Sequence, residues 1–115
     1  MLLFAVDYRI EYYSEDVARE ILNLPDTLAA RYLVLTRRMV ALGPNLGEPH
    51  TKAFGQGLFE LRLKGAEGIA RVFYCTVVGQ RIFMLHSYVK KTQKAPRADV
   101  EIATLRMKEV KRENS

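Results

Sequence analysis

From Leu58 onward the hydrophobic period of this chain is two, and two glycine-bearing turns divide the stretch into three strands. The strands are residues 58–64, 69–78 and 81–90. The first turn, Gly65-Ala66-Glu67-Gly68, has the length of a four-residue hairpin loop. The second, Gly79-Gln80, leads with glycine, as a two-residue type II′ turn requires. Turn length fixes register, and register fixes which side chains share a face. Closing the first turn pairs Lys64 with Ile69, hence Arg62 with Arg71 and Glu60 with Phe73. Closing the second pairs Val78 with Arg81, hence Phe73 with His86 and Arg71 with Tyr88. One face then carries Phe59, Leu61, Leu63, Val72, Tyr74, Phe83, Leu85 and Val89, and must lie under helices. The opposite face collects Glu60, Arg62, Lys64, Arg71, His86, Tyr88 and Lys90, with Phe73, Cys75 and Met84 among them.

Upstream the pattern is helical. Residues 3–8 form a short alternating apolar run that reads as an N-terminal strand. Ser14 suits an N-cap, with Glu15 and Asp16 beside the positive end of the helix dipole. Val17, Ile21 and Leu24 mark one helical face. Leu24-Pro25 ends that helix and starts a second, since proline fits a first helical turn. Leu28, Tyr32, Leu35, Met39 and Leu42 form its apolar stripe before Gly43-Pro44 stops it. Two apolar-faced helices joined this tightly form an αα-hairpin. Residues 43–57 read as a long loop exposing His50 and Lys52, and loops of that length in small domains are usually functional or mobile. Pro96 opens a last helix, with Val100, Ala103, Met107 and Val110 as its stripe. The expected class is therefore α+β: an N-terminal strand, an αα-hairpin, a three-stranded antiparallel meander completing one sheet, and a C-terminal helix, all in one domain over residues 1–115.

Composition narrows the function. A chain of 115 residues buries roughly 65% of its unfolded surface and folds without disulfides or metals. Its single cysteine excludes an internal disulfide framework and suits a reducing compartment. No secretory leader and no membrane span are legible, so a cytoplasmic location without membrane partners is expected. The net charge of +5 is unevenly placed: residues 1–50 carry −2 and residues 51–115 carry +7. Such asymmetry points to a polyanion at one surface.

Arg62 directly opposite Arg71 is unfavourable across a strand pair. Glu60, diagonal to Arg71, neutralises the pair on one reading. On the other, the pair awaits a phosphate, for which a guanidinium fork is the best protein ligand. One glutamate cannot satisfy two arginines, a lysine and a histidine, which favours the phosphate. The inventory suits RNA cleavage through the ribose 2′-OH. Glu60 or His86 is the candidate base, Arg62 and Arg71 hold the phosphate as its charge grows, and His86, Tyr88 or a lysine protonates the leaving oxygen. This chemistry needs no metal or cofactor. His50 reads as a solvated loop residue and Cys75, facing Met84, as inert packing. Two histidines and one cysteine lack the spacing of a zinc site. Neither a phosphate-binding glycine loop nor a serine nucleophile elbow is present.

Three segments together carry a family resemblance: Gly57-Leu58-Phe59-Glu60-Leu61-Arg62, then Arg71-Val72-Phe73-Tyr74, then Leu85-His86-Ser87-Tyr88-Val89-Lys90-Lys91-Thr92-Gln93-Lys94-Ala95-Pro96. With the Leu24-Pro25 break and the loop holding Pro49 and Lys52, the sequence resembles the HigB branch of the RelE/ParE toxin superfamily. The resemblance implies a RelE-like fold and a phage-derived toxin of a type II toxin–antitoxin pair. It implies a ribosome-dependent, metal-independent mRNA endonuclease that works in the ribosomal A site against 16S rRNA and the mRNA codon. A helix-turn-helix antitoxin encoded next door is the implied partner. Arg62 and Arg71 look like the family's phosphate and transition-state contacts. Lys90, Lys91 and Lys94 look like the basic segment near the reaction centre, and His86 stands at the branch's strand histidine. The expected catalytic set is therefore Glu60, Arg62, Arg71, His86, Lys90 and Lys91, with Lys52, Lys64, Tyr88, Gln93 and Lys94 as expected RNA contacts. Ala95 before Pro96 departs from the threonine that many relatives have, which weakens the start of the last helix by about 1 kcal/mol. Some superfamily members poison DNA gyrase and cut no RNA, so a gyrase poison is the alternative; a module that merely binds nucleic acid is a third.

Overall fold

A computed structural model of the chain describes residues 7–91 and 97–114. Eight elements follow in order: β1 (Arg9–Tyr12), α1 (Glu15–Leu22), α2 (Asp26–Leu42), β2 (Thr51–Gly55), β3 (Leu58–Gly65), β4 (Gly68–Val77), β5 (Arg81–Lys90) and α3 (Arg97–Glu113). The strands make one five-stranded sheet in the order β1-β5-β4-β3-β2. Only the β1–β5 pair is parallel. The expected α+β, RelE-like architecture is the observed one.

The helical hairpin forms for the reasons its sequence announces. Ser14 Oγ accepts from the Val17 amide at 3.2 Å, capping α1. Val17, Ile21 and Leu24 are buried, as are Leu28, Tyr32, Leu35 and Met39 of α2. Leu42, expected to complete that stripe, is 76% exposed. It belongs to the same helical face, but the core ends a turn earlier, at Met39. Pro25 gives α2 no side-chain cap. The cap comes instead from the β3–β4 turn, where the Glu67 carboxylate accepts from the Thr27 amide at 3.1 Å and from the Thr27 hydroxyl. The hydroxyl in turn accepts from the Ala66 amide at 2.9 Å. These bonds, that of the Thr27 hydroxyl first, hold the Glu67 carboxyl below its usual range. They also pin the hairpin to the helix start.

Gly65 leaves the room for this contact. A Cβ there would stand 2.2 Å from Thr27 Oγ1 and 3.2 Å from a Leu28 methyl. Gly65→Ala is therefore expected to cost about 1–3 kcal/mol by overpacking and to lower the melting temperature without touching the basic face. An unchanged melting temperature would show that the turn is not held against α2.

Four expectations about the strands need correction. The N-terminal strand is Arg9–Tyr12, not residues 3–8, of which 3–6 lie outside the described residues. Its position is set by parallel pairing of Arg9 with Arg81 through Tyr12 with Met84, a long-range choice that local alternation does not reveal. The supposed loop of residues 43–57 contains β2, an edge strand with only Thr51 buried. A strand with one buried residue has no apolar period to read. The first turn keeps its expected register, but Gly65 also pairs with Gly68, leaving only Ala66 and Glu67 unpaired.

The second turn is the instructive case. Val77, not Val78, pairs with Arg81, so the turn is one residue longer than expected. A bulge then skips one residue of β5, because Phe73 pairs with His86 and Tyr74 with Met84. The two shifts cancel beyond the bulge, and Arg71 opposite Tyr88 stands as read. Between turn and bulge the faces are exchanged. Ile82 and Met84 join the core under α1 and α2, with Leu61, Leu63, Val72 and Tyr74. Phe83 and Leu85 face the other side, with Leu58, Phe73 and Cys75 beneath Ala103, Met107 and Val110 of α3. Met84 therefore does not face Cys75, whose cross-strand partner is Phe83. Val89 is 37% exposed rather than core. The helices thus sit on both sides of the sheet, with α3 on the face that also carries Arg62 and Arg71.

Candidate nucleic-acid interface

The register brings Arg62 and Arg71 into a directly opposed pair. Glu60 sits between them, only 3% exposed. Its Oε1 is 3.1 Å from Arg62 Nε and 3.5 Å from Arg71 Nε. Arg62 also reaches the exposed Glu48 carboxylate at 3.5 Å. Two guanidiniums share one buried carboxylate, an arrangement that leaves most of their N–H donors for another anion.

Around this triad lies an aromatic ledge. Phe73 stacks on Tyr88 at 6.0 Å, Tyr88 on His86 at 6.5 Å, and Phe54 meets Phe73 edge-on at 5.4 Å. Burial, then the nearby Glu60 charge, pushes the Tyr88 phenol up to about 12. At neutral pH Tyr88 is thus a proton donor and not a base. Because the folded state holds this proton above the pH at which a free tyrosine loses it, stability tied to Tyr88 is full below about pH 10 and drains away towards about pH 12. Chemical denaturation at about pH 9 and about pH 11 is expected to show this loss, and Tyr88→Phe to reduce it. Equal pH dependence in the two proteins would contradict the assignment.

His86 is less free than its position in sequence suggests. Its Nε2 is 2.7 Å from Asp99 Oδ1 in the first turn of α3. Its Nδ1 is buried with no hydrogen-bond partner among the described residues. Lys90 follows Tyr88 on the same strand face, and Lys91 is exposed just beyond it. Lys52 stands across the strand from Glu60, 5.6 Å from the Phe54 ring centroid. Lys64 is exposed at the end of β3. Gln93, Lys94, Ala95 and Pro96 lie outside the described residues.

Beside the arginines is an open groove of about 310 Å³. Arg62, Arg71 and Lys64 line it together with Arg31, Pro49 and His50. His50 is half-buried here, not a fully solvated loop residue, because its carbonyl accepts from the Arg62 amide at 2.8 Å and holds the loop against β3.

A family model described as phage-derived protein Gp49-like (DUF891) matches residues 19–108. The chain belongs to the Gp49-like family. That family is one of RelE-like toxins, so this Gp49-like chain is a toxin of the toxin–antitoxin kind, and an antitoxin is its implied partner. No curated protein matches the Gp49-like chain significantly. Among the described residues, no helix is long and apolar enough to cross a membrane.

Three residues of the Gp49-like chain's candidate interface were not evident from the sequence. Asp99 reaches His86 only because α3 returns to the sheet, and Phe54 belongs to the unread edge strand. Arg31 lies outside the apolar stripe of α2, where a basic residue reads as solvated. A charge lying close to the buried stripe of a helix that packs on a sheet was the available signal for Arg31. Cys75 is fully buried, and burial pushes its thiol up to about 11, which fits inert packing.

Proposed function

We propose that this toxin is a ribosome-dependent mRNA endonuclease of the HigB type that cuts through the ribose 2′-OH, paired with a helix-turn-helix antitoxin. The observation that carries the reading is the Glu60 carboxylate buried between Arg62 and Arg71 at 3.1 and 3.5 Å. A carboxylate beside two guanidiniums supports this reading, because in-line attack on a phosphodiester requires a proton acceptor next to phosphate ligands.

In this mechanism Arg62 and Arg71 turn their outer N–H groups onto the non-bridging oxygens of the scissile phosphate. Glu60, losing part of its hold on them, takes the 2′-OH proton as the 2′ oxygen attacks phosphorus. The bond to the 5′ oxygen breaks, and that oxygen takes a proton from Tyr88 or a neighbouring lysine. The products are a 2′,3′-cyclic phosphate and a free 5′-OH. His86, tied to Asp99, positions Tyr88 by stacking, while Lys90 and Lys91 offset the growing negative charge. Lys52 and Phe54 offer a cation and an exposed ring to a neighbouring nucleotide. The A-site codon and 16S rRNA supply the remaining surroundings, which sets the cytoplasm as the place of action.

Mapping mRNA 5′ ends after induction tests this directly, with the Arg62→Ala/Arg71→Ala double variant as control. New ends within A-site codons are expected for the wild type alone. Intact mRNA together with an active DNA-damage response would overturn the reading in favour of a gyrase poison.

A further inference from the structure

The groove contains more positive charge than cleavage of one phosphate uses. Glu60 is committed to Arg62 and Arg71, and Glu48 also leans on Arg62. Arg31 and Lys64 line the same groove, yet neither side chain has an ion pair or hydrogen bond to any described residue. Lys64 is exposed and well hydrated. Arg31 is half-buried, and a partly desolvated guanidinium without an acceptor is unfavourable unless an anion arrives.

The sheet's geometry says where that anion would lie. β2 covers β3 only as far as Leu61, which pairs with Thr51. Beyond it the Arg62 amide still bonds to the His50 carbonyl, and among the described residues the Leu63–Lys64 stretch is an open edge bounded by the His50 loop and by α2. A chain held at Arg62 and Arg71 can leave the sheet face over this edge and pass Lys64 and Arg31 in turn. The opposed arginine pair and the Lys64–Arg31 pair then stand one after the other along a single groove, as successive phosphates of a nucleic-acid strand do.

We propose that Arg31 and Lys64 form a second phosphate subsite that binds the phosphate adjacent to the scissile one in single-stranded RNA. The proposal rests on the endonuclease reading and adds to it the path of the strand: around the open edge of β3 towards α2. An acidic segment of a partner protein is the competing occupant, and the experiment separates the two.

The full-length chain is titrated with two 2′-deoxy probes that it cannot cut, a dinucleotide with one phosphate and a trinucleotide with two. The wild type is expected to bind the trinucleotide about tenfold more tightly, the gain of one charge-assisted contact. Arg31→Gln and, separately, Lys64→Gln are each expected to erase most of that gain while leaving dinucleotide affinity unchanged. The salt slope for the trinucleotide should fall by about 0.7. Lys64 is exposed, so its variant keeps the test valid should Arg31→Gln fold poorly. A trinucleotide gain that survives both substitutions overturns the subsite, as does the absence of any gain in the wild type. Weaker antitoxin binding with unchanged oligonucleotide affinity also overturns it and hands the pair to an acidic peptide. The 5′-end mapping described above reads the endonuclease separately. Cleavage without a trinucleotide gain removes the subsite alone, and a gain that tracks Arg31 without cleavage removes the endonuclease alone.

Discussion

Arg71→Ala is expected to lower ribosome-dependent mRNA cutting by about 10²–10³-fold, the usual cost of losing one donor aimed at developing charge. The protein should stay folded, because Glu60 keeps its 3.1 Å contact to Arg62. Loss of the longer contact costs about 1–2 kcal/mol, well inside the stability of a domain this size. Arg62→Ala should behave alike in cutting and cost at least as much stability, since it removes the shorter contact and leaves the buried Glu60 only the 3.5 Å one to Arg71. Circular dichroism checks the fold and primer extension on a programmed ribosome checks the cutting. Activity within threefold of wild type for both variants would remove the arginine pair from the mechanism.

The second large effect is on stability. Glu60→Ala leaves two opposed guanidiniums without their shared carboxylate. Breaking a buried pair by removing one partner costs about 3–5 kcal/mol when the remaining charge is fully enclosed. Arg62 retains some solvent, so about 3 kcal/mol is expected, a fall of roughly 10 °C or more in melting temperature. Glu60→Gln keeps an accepting oxygen but no charge, and should fall between. Inorganic phosphate should raise the melting temperature of Glu60→Ala more than that of the wild type, by supplying the anion the substitution removed. A Glu60→Ala protein as stable as wild type, with no response to phosphate, would mean that the arginines do not need the carboxylate.

Much of this was legible in the sequence wherever a local rule fixed a distant contact. The turn around Ala66-Glu67 sets the β3–β4 register, and from that alone Arg62 falls opposite Arg71. The helix stripe from Leu28 to Met39 and the Ser14 cap were equally plain. What stayed hidden depends on contacts that no local rule encodes. The bulge in β5 has no signature among Met84, Leu85 and His86, yet it exchanges the faces of Phe83, Leu85 and Met84. Its effect on Arg71 and Tyr88 vanished only because the Val78-Gly79-Gln80 turn is one residue longer than the glycine suggested. α3 packs on the face that alternation marked as free, so the hydrogen bond of His86 to Asp99 changed that histidine from an isolated ring to one held in place. The groove was missed because Arg31 and His50 join its lining from other segments, each unremarkable within its own.

The parallel pairing of β1 with β5 has a consequence for the order in which this protein assembles. Arg62 and Arg71 sit in a hairpin with a two-residue turn, so their contact closes a short loop and can form early. Arg9 must find Arg81 across about seventy residues, a contact whose loop-closure cost makes it slow. A chain still being synthesised therefore displays its arginine pair before the far edge of its sheet is sealed. During that interval the free side of β5 offers unpaired backbone, the kind of open edge that invites pairing with another chain.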